Sequence, residues 1–95
     1  MTVVANELDD GALWWPALER VAVELYPRGP TDNEIWTRAG GDISVLDLNV
    51  IGKAAWHSAL RKLRSGGGGR SASPQSLVRA MKDDFPNNPS LASLW

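Results

Sequence analysis

Residues 53–64 read Lys53-Ala54-Ala55-Trp56-His57-Ser58-Ala59-Leu60-Arg61-Lys62-Leu63-Arg64. Trp56, Ala59, Leu60 and Leu63 recur at the three- and four-residue spacing of one helical face, so the stretch predicts an amphipathic helix. Beside that apolar stripe, Lys53, His57, Arg61 and Arg64 fall at i, i+4, i+8 and i+11 and make a second, basic face. Four consecutive glycines, Gly66 to Gly69, end the helix, because glycine loses the most backbone freedom on entering one.

Downstream, Ser73-Pro74 pairs an N-cap serine with proline at the first helical position. The fourth helix that follows buries Leu77, Val78, Met81 and Phe85, and Pro86 stops it. Asn88-Pro89 repeats the signal and opens a last short helix with Leu91 and Leu94. Upstream, Trp14, Leu18, Val21 and Leu25 line a first helix from about Leu13 to Tyr26. Pro16 is expected in its first turn, where a missing N–H costs nothing, and Pro27 ends it. Thr31 and Glu34 suggest a capping box for a short second helix. That helix carries Ile35, Trp36 and Ala39 inside and a Glu34–Arg38 pair outside, and Gly40-Gly41 closes it. Residues 42–51 show neither period cleanly, and a lone strand would lack a ladder partner. They are expected to form an irregular or one-turn segment that plugs the core with aliphatics. Residues 1–11 are expected to be an N-terminal arm, and residues 12–95 a single all-α domain of four or five helices.

The composition narrows the chemistry. Ninety-five residues with 43% hydrophobic and 22% charged side chains describe one small globular domain. There is no cysteine and one histidine, which excludes disulfides, thiol nucleophiles and thiolate metal sites. No apolar run spans a bilayer, and the start lacks a signal-peptide pattern, so the expected compartment is the cytoplasm. His57 is the sole usual base, and no neighbour in the sequence is placed to orient it. Asp83 and Asp84 project about 100° apart on a helix and read as a solvated helix end. Asp42 and Asp47 lack calcium-loop spacing. The glycine run fails the phosphate-loop pattern, since Arg64 would stand where the first glycine belongs; it reads as a flexible inter-helix loop. No cofactor is expected. Core packing suffices for Trp14, Trp36 and Trp56, whereas Trp15 and Trp95 are open between core-edge burial and exposure as interface anchors.

The net charge of −1 conceals a segregation. Residues 1–52 hold nine acids and three bases, residues 53–82 seven bases and no acid, and Asp83 and Asp84 complete the count. Such a chain can attract its own copies. The basic residues Lys53, Arg61, Lys62 and Arg64 are candidates to dock on Asp32, Asp42 and Asp47 of a second copy or cognate domain. The competing readings of the stripe are a solvated face and a nucleic-acid site. The low pI of about 5.7 and the acidic first half argue against the last.

Four segments carry a resemblance in order and spacing: Leu25-Tyr26-Pro27; Ile35-Trp36-Thr37-Arg38-Ala39-Gly40-Gly41-Asp42-Ile43; Trp56-His57-Ser58-Ala59-Leu60; and Phe85-Pro86-Asn87-Asn88-Pro89-Ser90-Leu91. Over residues 13–94 the chain resembles the first type of bacterial effector-associated domain. The resemblance implies a small death-like bundle of four to six helices. It also implies a non-enzymatic adaptor in bacterial conflict and immune signalling. Its partners would be matching domains on other proteins or copies of itself; the residues themselves point to no membrane partner and leave nucleic acid as the runner-up. No effector domain lies within these 95 residues.

Overall fold

The computed structural model describes residues 2–94, with side chains from Leu13 onward. Five α-helices follow in order: α1 Thr2–Leu25, α2 Ile35–Arg38, α3 Gly52–Arg64, α4 Pro74–Asp84 and α5 Pro89–Leu94. Two 3-10 turns, Asp32–Glu34 and Ile43–Val45, lie between them, and no strand occurs among the described residues. Helix α1 packs on α3 and α5, and α4 packs on α2 and α5. The expected all-α bundle is thus the fold. Of the arm expected over residues 1–11, the side chains lie outside the described residues, as does Trp95.

The core forms where the stripes meet. Leu18, Tyr26, Ile35, Trp36, Trp56, Leu77, Val78, Met81 and Leu91 are all less than 2% exposed. Each large apolar side chain contributes about 1.5–3 kcal/mol on burial. Three tryptophans also tie helix ends together. The Trp56 indole N–H donates to the Tyr26 carbonyl at 2.9 Å, Trp36 to Asp42 at 3.2 Å and Trp14 to Leu94 at 3.0 Å. The Tyr26 and Leu94 carbonyls lie where α1 and α5 run out, where backbone acceptors lack helical donors. An indole there buries a large ring and satisfies an acceptor at once.

The start signals of the later helices act as their chemistry predicts. The Ser73 hydroxyl accepts from the Ser76 N–H at 3.0 Å, and the Ser76 hydroxyl accepts from the Ser73 N–H at 2.9 Å. Asn88 Oδ1 accepts from the N–H groups of Ser90 and Leu91. Phe85, expected inside, is 37% exposed, but its ring meets Tyr26 edge-on at 5.8 Å.

Five expectations are corrected. Helix α1 runs through Pro16 rather than starting there. The proline is exposed at the surface, and Trp14, Ala17 and Leu18 hold the flanking turns to the core. The Thr31–Glu34 capping box does not form, because Asn33 and Glu34 adopt φ of 53° and 54°. The Trp36 N–H reaches back over this turn to the Pro30 carbonyl at 3.0 Å. Arg38 turns away from Glu34 to Asp84. The 42–51 segment is irregular as expected but does not plug the core: Ile43, Leu48 and Ile51 are exposed, and Leu46 is the aliphatic of this segment that packs against the core cluster. Finally, the glycine run is not slack. The Asp42 N–H donates to the Gly68 carbonyl at 2.7 Å, and Gly68 lies buried against the Trp36 ring.

Candidate interaction surface

Helix α3 positions the basic residues. Its apolar side, Ala55, Trp56, Ala59, Leu60 and Leu63, is buried. The helical repeat therefore turns Lys53, His57, Arg61 and Arg64 outward, and all four are exposed. Lys62 is half-buried on the other flank, and its ammonium donates to the Val45 carbonyl. That bond holds the 42–51 segment against α3.

The three candidate acids lie elsewhere and are occupied locally. Asp32 Oδ2 accepts from the Arg28 N–H at 3.3 Å, Asp42 Oδ1 from the Ser44 N–H at 2.9 Å and Asp47 Oδ1 from the Asn49 N–H at 3.0 Å. These are short backbone caps that leave carboxylate lone pairs free. Hydrogen bonding from the Ser44 side chain and its backbone N–H holds the Asp42 carboxyl below the ordinary carboxylate range. The structure brings Asp42 and Asp47 onto the one segment that Lys62 anchors. It brings none of the candidate acids into an ion pair with the candidate bases among the described residues.

Between α1 and α3 lies a groove of about 310 Å³ lined by Trp15, Pro16, Glu19, His57, Leu60, Arg61 and Arg64. Leu60 is its buried floor, and half-buried Trp15 is one wall. The Arg64 guanidinium sits 5.9 Å from the Trp15 ring centre, a cation–π distance. His57 was expected to have no orienting neighbour, but its Nδ1 lies 2.9 Å from Glu19 Oε1. No sequence signal marks that pair, because its members are 38 positions apart on different helices. The pair is exposed at the histidine, whose side chain keeps 62% of its accessible surface. Among the described residues no group of three or more histidine and carboxylate side chains is placed to hold a metal ion.

A second polar cluster escapes the sequence as well. The Asp84 carboxylate accepts from Tyr26 Oη at 2.5 Å, Asn33 Nδ2 at 3.0 Å and both Nη atoms of Arg38. The Arg38 guanidinium, with the smaller help of Tyr26 and Asn33, holds the Asp84 carboxyl below its usual range. Burial, and then the adjacent carboxylate, pushes the Tyr26 hydroxyl up. This cluster joins the end of α1, the turn before α2 and the end of α4.

The Trp56–Tyr26 and Trp36–Asp42 indole ties and the closing Phe85-Pro86 turn belong to the segments on which the resemblance rests. Residues 12–94 match the family model of effector-associated domain 1. The chain belongs to the effector-associated domain 1 family. No curated protein and no solved structure matches it. Effector-associated domain 1 is an associated domain and not a known catalytic family. Among the described residues of this effector-associated domain, no helix is long and apolar enough to cross a membrane.

Proposed function

We propose that this domain is an adaptor. It makes like-with-like contacts with copies of itself or with matching domains, and so recruits or clusters effectors in bacterial conflict signalling. The observation that carries this reading is the segregated charge. Among the described residues, the carboxylate contact of the basic face of α3 is the Glu19–His57 pair, while Asp42 and Asp47 stand on a separate exposed segment. Two complementary patches on one molecule make a heterologous contact, which closes into a ring or extends as a chain. Lys53, Arg61 and Arg64 form one patch, with Lys62 on the opposite flank of α3; Asp42 and Asp47 form the other, with Asp32 apart from them on the turn before α2.

The test is molar mass by light scattering over a concentration series at low and high salt. Association that salt weakens, and that Arg61→Glu with Arg64→Glu abolishes in a folded domain, supports the reading. Association indifferent to both would remove the charge-driven contact. An oligonucleotide captured by the same stripe, with affinity falling steeply in salt, would replace it with a nucleic-acid module.

A further inference from the structure

Exposed ion pairs contribute little on their own, about 0–1 kcal/mol, so a stable contact between copies needs an apolar centre. Among the described residues, five large hydrophobic side chains are exposed, and three of them share one segment: Ile43 at 48%, Leu48 at 63% and Ile51 at 78%. Asp42 and Asp47 interleave with them. The α1–α3 groove has the opposite balance around a similar apolar centre: Trp15, Pro16 and Leu60 within, Arg61 and Arg64 at the rim, and Glu19, the acid of the lining, paired with His57.

We infer that the Ile43–Leu48–Ile51 ridge of one copy seats in the α1–α3 groove of the next. This rests on the like-with-like reading above and names the surfaces that carry it. Leu48 and Ile51 fill the space beside Trp15 over Leu60, and Asp42 and Asp47 meet Arg61 and Arg64 at the rim. The apolar pair sets the residence time and the charges set register and encounter rate.

The placement of the two surfaces on α3 dictates the geometry. His57, Leu60, Arg61 and Arg64 line the groove on one flank. Ala55 and Lys62 meet the ridge segment on the other. At 3.6 residues per turn these flanks face roughly 160° apart. A molecule therefore cannot seat its own ridge in its own groove, and a second copy of the same chain is the occupant that carries the complementary charge.

The experiment pairs two variants. Leu48→Ser with Ile51→Ser removes the ridge; Arg61→Glu with Arg64→Glu spoils the groove. All four positions are exposed, and circular dichroism confirms that each variant keeps its helices. Each alone is expected to stay monomeric, with its association midpoint raised more than about thirtyfold, as for loss of a binding hot spot. Mixed, they are expected to form a one-to-one dimer, since one brings an intact groove and the other an intact ridge. If the wild-type chain associates and the ridge variant associates equally well, the ridge is not the anchor, and the adaptor reading survives without it. If both variants are monomeric and their mixture forms no dimer, the head-to-tail arrangement is wrong. If the wild-type chain stays at 10.3 kDa at every concentration, self-association itself falls, and this inference with it.

Discussion

Arg38 and Asp84 meet end-on across 46 positions of sequence, Nη1 on Oδ1 at 3.1 Å and Nη2 on Oδ2 at 2.5 Å. A carboxylate in the last turn of a helix opposes the helix dipole. Asp84 is nevertheless satisfied, because Tyr26 and Asn33 add two further donors to the Arg38 fork. The cluster clamps the end of α1, the turn before α2 and the end of α4 together.

Asp84→Ala is expected to destabilise the domain by about 1–2 kcal/mol, the worth of a charge-assisted network discounted for its partial exposure. Urea unfolding of Asp84→Ala, Arg38→Ala and the double variant measures the coupling, expected at about 1 kcal/mol. Strict additivity of the two single effects would show that the fork adds nothing.

The same cluster fixes the dependence on pH. Asp84 has a lowered pKa in the folded state, so its contribution is complete above the ordinary carboxylate value, about 3.9, and is lost as pH falls through the folded value. Asp42 acts in the same direction. Tyr26 is shifted upward, so its contribution is complete below about pH 10 and is lost as pH rises above it. A stability plateau with losses at both limits is expected. Urea midpoints against pH should show a shallower acid limb in Asp84→Asn and a shallower alkaline limb in Tyr26→Phe. Limbs identical to the wild type would contradict the assignment.

Two glycines of the same run should respond differently to alanine. At Gly66, φ is 91° and an added Cβ meets open space, so the cost is the left-handed backbone alone, about 1–2 kcal/mol. At Gly68, φ is 98° and the Cβ would stand 3.1 Å from Trp36 Cζ2. Gly68→Ala should add about 1 kcal/mol or more of crowding to the same backbone cost. Equal unfolding free energies would mean that the Trp36 ring yields freely.

His57→Ala should change stability by less than about 0.5 kcal/mol, since the Glu19 contact is a surface pair. Measured together with self-association, this variant separates groove chemistry from folding. A loss above about 1 kcal/mol would assign the pair a structural role instead.

The elements that the sequence announces are those whose signals are local. Ser73-Pro74 and Asn88-Pro89 cap their helices through atoms three residues away or nearer, and the α3 stripe needs only its own period. The readings that failed depended on distant atoms. Thr31 and Glu34 have the letters of a capping box, but the Asn33 amide is bonded to Asp84 and its carbonyl to Arg38 Nε, and the turn takes the left-handed path those bonds require. Ile43, Leu48 and Ile51 read as core because aliphatics usually are. Here they are exposed, and the buried core is made by residues of the helices such as Trp36, Trp56 and Leu63. The basic half of the candidate surface was legible as a face of one helix. The groove beside it was not, because its other wall comes from α1.

The Gly66–Gly69 run looks like the natural place to splice in a tag, a fluorophore site or new chain termini, since such operations succeed at exposed, unbonded tips. Here the backbone at Gly68 is bonded to Asp42 and lies on the Trp36 indole, and a Cβ at Gly69 would come within 2.8 Å of the Asp42 nitrogen. Extra residues there would pry the α3–α4 connection off the buried Trp36 ring of α2. The exposed Pro86–Asn87 turn between α4 and α5, where no such lid is lifted, is the better point of entry for anyone labelling this domain.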